Sequence, residues 1–135
     1  MTRPAGLSAY LVVTAAATQT RDLAWLQQQL PKDARAMVVD VTSGMAVLSV
    51  MGPRSRELLV RLTDADLSNA AFPCGSSQII DLAYARVRAS RITYVGELGW
   101  ELYIPTDCAP AVFDALMAAG EPFGLRLAGY HALNS

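Results

Sequence analysis

At 135 residues and 14.5 kDa the chain holds one domain or a piece of one, since two cores of ordinary size need roughly 200 residues. Hydrophobic residues make up 53% and charged residues 17%, enough apolar surface for a compact core, which excludes a disordered tail or linker. A formal net charge of −1 and a pI near 5.7 give no basic footprint for a phosphate backbone, so nucleic acid is not an expected partner.

The start, through Arg3, Pro4 and the Ala15, Ala16, Ala17 run, imitates a secretory signal only thinly, and Tyr10 to Val13 read instead as a strand. No run approaches the roughly eighteen apolar residues of a membrane span, so no membrane is expected. Thr20 is placed to cap a helix with Leu23, Leu26 and Leu30 at helical spacing, stopped by Pro31. Two β-branched runs, Met37 to Val41 and Met45 to Val50, flank Thr42, Ser43 and Gly44 and predict a pair of strands joined by a tight turn. Gly52 and Pro53 open a second helix with Leu58, Leu59 and Leu62 on its apolar face. A loop follows to Ser77.

Gln78 to Ile104 read as β, interrupted by Gly96, Glu97, Leu98 and Gly99 as a hairpin tip. Thr106 predicts the cap of a third helix, with Pro110 in its first turn, Val112, Phe113, Leu116 and Met117 inward, and Gly120 past its end. A further helix begins near Ser135. These elements mix without βαβ alternation, so the expected class is α+β: a mixed or antiparallel sheet with packed helices.

Counting outward from that tip sets Val95 opposite Trp100 and Tyr94 opposite Glu101. Alternation then gathers Ile92, Tyr94, Glu101 and Tyr103 on one side, away from Val95, Trp100, Leu102 and Ile104. A carboxylate on such a floor suits a flat heterocycle with adjacent N–H donors, an aminopyrimidine edge for example, because its two oxygens accept parallel hydrogen bonds. The same spacing also fits an ordinary solvated hairpin with a cross-strand Tyr–Glu pair, and spacing by itself favours that plainer reading.

Arg91-Ile-Thr-Tyr94-Val-Gly96-Glu97-Leu-Gly99-Trp100-Glu101-Leu-Tyr-Ile-Pro105 resembles the folate-binding signature of the aminomethyltransferase family, the T-protein of the glycine cleavage system and its relatives. Val50-Met-Gly52-Pro53-Arg-Ser55-Arg-Glu-Leu-Leu is similar to that family's G-P-x-S-x-x-L-L helix opening, and Gly124 to Gly129 to a later segment. Asp40-Val-Thr-Ser-Gly and Leu62-Thr-Asp-Ala-Asp-Leu67 lean towards the tetrahydrofolate domain fused to flavin-dependent dimethylglycine and sarcosine dehydrogenases.

The resemblance implies a T-protein-like fold, with residues 1–9 an atypical start and 10–135 a partial folate-binding domain. It implies tetrahydrofolate as cofactor, held by Glu101 against the pterin and by Tyr94 beside it, with FAD confined to a separate flavin oxidoreductase domain of the parent. In the family a catalytic aspartate comes from a segment preceding the matched part, so no catalytic residue is assigned and the chain alone is expected to be inactive. The alternative is a non-catalytic binding or regulatory module, as the regulatory subunit of pyruvate dehydrogenase phosphatase represents in the same superfamily.

Other candidates read as structural. Asp22 and Asp40 sit where capping or turn roles are common, and lone His131 has no nucleophile elbow to serve. Cys74 and Cys108 lie outside any metal or disulfide pattern, so no metal is expected; Cys74 reads as a half-buried thiol. Reduced thiols fit the cytoplasm, or the mitochondrial matrix for a eukaryotic source. Arg86 and Arg88 share a strand face that Arg91 leaves, hinting at a phase slip near Ser90 or a bulge. An unpaired sheet edge would favour self-association.

Overall fold

The computed structural model describes residues 9–133, which divide into two compact units, one ending at Val41 and one beginning at Thr42. In the first, a helix α1 (Gln19–Gln29) follows a 3-10 turn, and Thr18, not Thr20, stands at its N-cap. The Thr18 hydroxyl donates to Asp22 Oδ2 at 2.5 Å, so Thr20 falls inside the helix. Neither Tyr10 to Val13 nor Met37 to Val41 forms the expected strand; the former holds only an isolated bridge at Leu11. Met37 and Val39 are 82% and 62% exposed. β-Branched composition makes a strand only where a partner and a face to bury exist.

The second unit is built on a four-stranded antiparallel sheet: β1 (Met45–Met51), β2 (Ser77–Leu82), β3 (Ala85–Ser90) and β4 (Gly99–Pro105), in the order β1-β4-β3-β2. Every neighbouring pair is antiparallel. One face is core. Val50, Trp100, Leu102, Ile104, Val87, Ala89, Ile80 and Leu82 point to it, alternating with the residues of the other face. Over it pack α2 (Ser55–Leu59), through Leu58 and Leu59, and α3 (Ala109–Gly120), through Val112 and Leu116. The loop between α2 and β2 adds Leu67 and Phe72.

Trp100 is fully buried at the centre, edge-on to Phe72 at 6.2 Å, with the guanidinium groups of Arg56 and Arg91 5.8 and 5.7 Å from its ring centre. The phase change at Arg91 is therefore the end of β3 at Ser90 and not a bulge: Arg91 turns to donate to the Phe72 carbonyl at 2.6 Å. Cys108, not Thr106, occupies the N-cap of α3, while the Thr106 hydroxyl donates to the Ser43 carbonyl at 2.9 Å. Gly120 is the last, buried residue of α3, and the left-handed stop falls at Gly124 with φ 73°. Pro53 precedes α2 in a turn closed by the Ser55 N–H to the Gly52 carbonyl at 3.0 Å. A short helix α4 (Tyr130–Leu133) ends the described chain.

Candidate functional site

β4 lies inside the sheet, and each of its edges pairs with a different strand. Glu101 lies across from Ser49 of β1 and Ser90 of β3, and Ser90 in turn from Ser77 of β2. These four residues form one polar row on the face opposite the core, since side chains directly across an antiparallel ladder share a face. The next row on the same face is Val47, Tyr103, Arg88 and Ile79.

The expected register is overturned. Residues 91–98 form no strand, Tyr94 is 71% exposed in that segment, and Glu101 faces Ser49 and Ser90 instead of Tyr94. Val95, expected across from Trp100 on the core side, is half exposed; Val50 takes that place. The cause is long-range. The Leu98 carbonyl accepts the Gly52 N–H at 2.8 Å and the Ser55 hydroxyl at 3.0 Å, and that anchor delivers Gly99 directly onto Met51. Pairing with β1 thus begins where a local hairpin would have turned back.

Glu101 is half-buried, and the Tyr103 phenol donates to its Oε2 at 2.6 Å. Tyr103 is only 7% exposed. Burial first, then the hydrogen bond to Glu101, push its phenol well above the ordinary value of 10.0, so Tyr103 is a donor throughout the physiological range. Ser90 turns its hydroxyl to Ser77 at 3.0 Å, and Arg88 reaches the same Ser77 oxygen at 3.5 Å. The ion pairs among the described residues are Arg21 with Asp22 and Arg54 with Glu57, and neither involves Glu101. A carboxylate so placed keeps lone pairs for donors arriving from outside the chain.

The link from Tyr103 to Glu101 is what sequence reasoning left unused. Its signal was present: residues two apart on a strand share a face. The remaining candidates lie elsewhere. Asp22 is held below the usual carboxylate range, chiefly by the Thr18 hydroxyl and also by Arg21. Asp40 accepts from the Gln19 amide at 2.8 Å. Cys74 is exposed, not half-buried, and Cys108 is intermediate; both are free thiols. His131 stands in α4. The first unit has a cavity of about 440 Å³ lined by Val12, Thr14, Arg21, Asp22, Trp25 and Leu26, which no motif announced. Among the described residues no group of metal-ligating side chains converges, and no helix is long and apolar enough to cross a membrane.

Comparison with known proteins fits this architecture. The chain is 43% identical over 130 residues to a 4-methylaminobutanoate oxidase (formaldehyde-forming) of Paenarthrobacter nicotinovorans, a match covering 96% of this chain and 16% of that protein. It is 34% identical over 127 residues to the mitochondrial dimethylglycine dehydrogenase of Homo sapiens, covering 93% of this chain and 15% of that one. With an aminomethyltransferase of Listeria monocytogenes it shares 36% identity over 117 residues, 86% of this chain and 32% of the relative. The chain therefore spans about one sixth of the length of the first two relatives and a third of the last.

In three dimensions it superposes on a heterotetrameric sarcosine oxidase from Corynebacterium sp. U-96, solved with pyrrole 2-carboxylate, with a TM-score of 0.66 and 23% identity. That match covers 79% of this chain and 53% of the other and shows the shared fold. The model of the GCVT N-terminal domain matches residues 5–135, and the chain belongs to that family.

Proposed function

We propose that this chain is the tetrahydrofolate-binding portion of a one-carbon-transfer protein, with residues 10–135 as part of an aminomethyltransferase-type folate domain. The observation that carries this reading is Glu101, a half-buried carboxylate with no cationic partner among the described residues, in a stretch that resembles the family's folate signature. A reduced pterin fits those donors and acceptors. Its amino group and adjacent ring N–H present two parallel donors, which a carboxylate accepts side by side. Tyr94, exposed in the 91–98 segment, has its ring free to lie against the same ligand. The bound folate would supply the acceptor for a one-carbon unit, and this chain's residues would bind and orient it.

The parent activity is proposed as that of a flavin-dependent dimethylglycine or sarcosine dehydrogenase-type protein, or of a glycine cleavage T-protein. Any FAD belongs to a separate oxidoreductase domain, and the compartment is the cytoplasm or, in a eukaryote, the mitochondrial matrix. Strands β1 and β2 are the sheet's edges and support self-association.

Calorimetric titration of the folded chain with tetrahydrofolate tests the reading. Glu101→Ala is expected to weaken binding about 100-fold or more, the effect of losing two hydrogen bonds to a charged group. If the folded wild-type chain binds no folate, the reading fails. A regulatory module then stands in its place, a second reading favoured by 34% identity over 127 residues to the mitochondrial pyruvate dehydrogenase phosphatase regulatory subunit of Mus musculus.

A further inference from the structure

We propose that Tyr103 is a positioning residue for the ligand-binding carboxylate, fixing the rotamer of Glu101 so that its free lone pairs form a preset acceptor edge for paired N–H donors. The proposal rests on the folate reading of Glu101 and names the device that makes that carboxylate selective.

Two residues apart on β4, both side chains stand on the face away from the core. Tyr103 is clamped there in its own row, between Val47 on β1 and Arg88 on β3, and is nearly buried, so its hydroxyl has little freedom. Glu101 is the mobile partner, with three side-chain torsions and only serines directly beside it. Ser90 has committed its proton to Ser77. The 2.6 Å bond from Tyr103 is therefore the contact that holds the carboxylate still, and it is as short as charge-assisted O–H···O bonds are.

The stoichiometry of lone pairs gives the selectivity. A carboxylate offers about four acceptor sites, and Tyr103 takes one of them on Oε2. The remaining site on Oε2 and those on Oε1 accept two parallel donors without any further torsional loss. Ligands with a single donor gain only half of that edge. Because the phenol stays protonated, its O–H remains available to donate to Glu101.

A double-mutant cycle on the 135-residue chain decides the matter, with tetrahydrofolate as probe and circular dichroism to establish folding. Tyr103→Phe keeps the ring and its packing, and is expected to weaken binding about tenfold; in the Glu101→Gln background the same change should cost nothing more. Wild-type affinity in Tyr103→Phe, or a full tenfold loss added to Glu101→Gln, overturns the positioning role while leaving the folate reading intact. Unchanged binding in Glu101→Gln removes Glu101, and with it the positioning role, from the folate site, whereas no binding by the folded wild-type chain sinks the folate reading itself. A ligand-free readout accompanies the cycle. In an ultraviolet titration of the five tyrosines, Tyr103 should ionise late, and Glu101→Gln should bring that late step down. A late tyrosine that ignores Glu101→Gln counts against the link.

Discussion

A Cβ added at Gly99 would stand 2.7 Å from Met51 Cγ and 3.0 Å from the Val50 carbonyl oxygen, so β1 and β4 approach here as closely as a glycine allows. Methionine can swing aside, but the backbone oxygen cannot. Gly99→Ala should lower stability by about 1 to 3 kcal/mol, read as a lower denaturant midpoint. Gly44→Ala, where nothing lies within 4 Å of the new methyl, is the control and should leave the midpoint nearly unmoved. An equal effect at both positions would show that the close approach is not the cause.

Tyr103 carries a pH dependence whose sign follows from its environment. Its folded-state ionisation lies above 10.0, the value expected in the unfolded chain, so its contribution is complete below pH 10.0 and is lost as pH rises beyond it. The unfolded phenol ionises first and draws the equilibrium with it. Tyr103→Phe should therefore flatten the fall in stability above about pH 10, measured by urea unfolding at each pH. The glutamate of the candidate site is named by its motif; its tyrosine neighbour lies on the predicted face but carries no motif, because hydrogen bonding between i and i+2 depends on which of them is clamped.

Among the elements, the turn that the sequence advertises and the turn that forms are different ones. Gly96 to Gly99 has the composition of a hairpin tip, yet the strand it was meant to close pairs with β1. The two-residue turn between β2 and β3 is Ala83-Tyr84, both left-handed at φ 47° and 68°, with none of the Asn or Gly that such a turn favours. Its support is tertiary: the Ala83 N–H donates to the Leu62 carbonyl at 2.9 Å. Segments with a strand's alternation were found wherever the sheet could use them, in β1, β3 and β4. The Met37 to Val41 run was misread because nothing in its composition says whether a partner will be there.

That turn makes a stability test. Tyr84 is fully exposed, so its ring makes no burial to lose, while its left-handed backbone costs about 1 kcal/mol relative to glycine. Tyr84→Gly is expected to raise the urea midpoint by a corresponding amount, offset in part by the entropy of a glycine in the unfolded chain. A lowered midpoint would mean that this backbone is not strained at Tyr84.

At the scale of the whole chain, burial is distributed very unevenly. Every residue of the core cluster falls between Val50 and Leu116, within the unit that begins at Thr42, whereas no described residue up to Val41 is buried. The first unit's principal element is the eleven residues of α1, and a helix below about 12 to 15 residues is marginal in water without an apolar face to bury. The second unit holds the sheet, both helices packed on it and the row that contains Glu101. A fragment of residues 42–135 should therefore melt with a single cooperative transition, while a peptide of residues 1–41 should lose ellipticity gradually, with no transition at all. Both are read by far-ultraviolet circular dichroism against temperature. A non-cooperative 42–135 fragment would show that the core cluster is not sufficient to fold the sheet, and a cooperative 1–41 peptide would show that its stability does not come from burial.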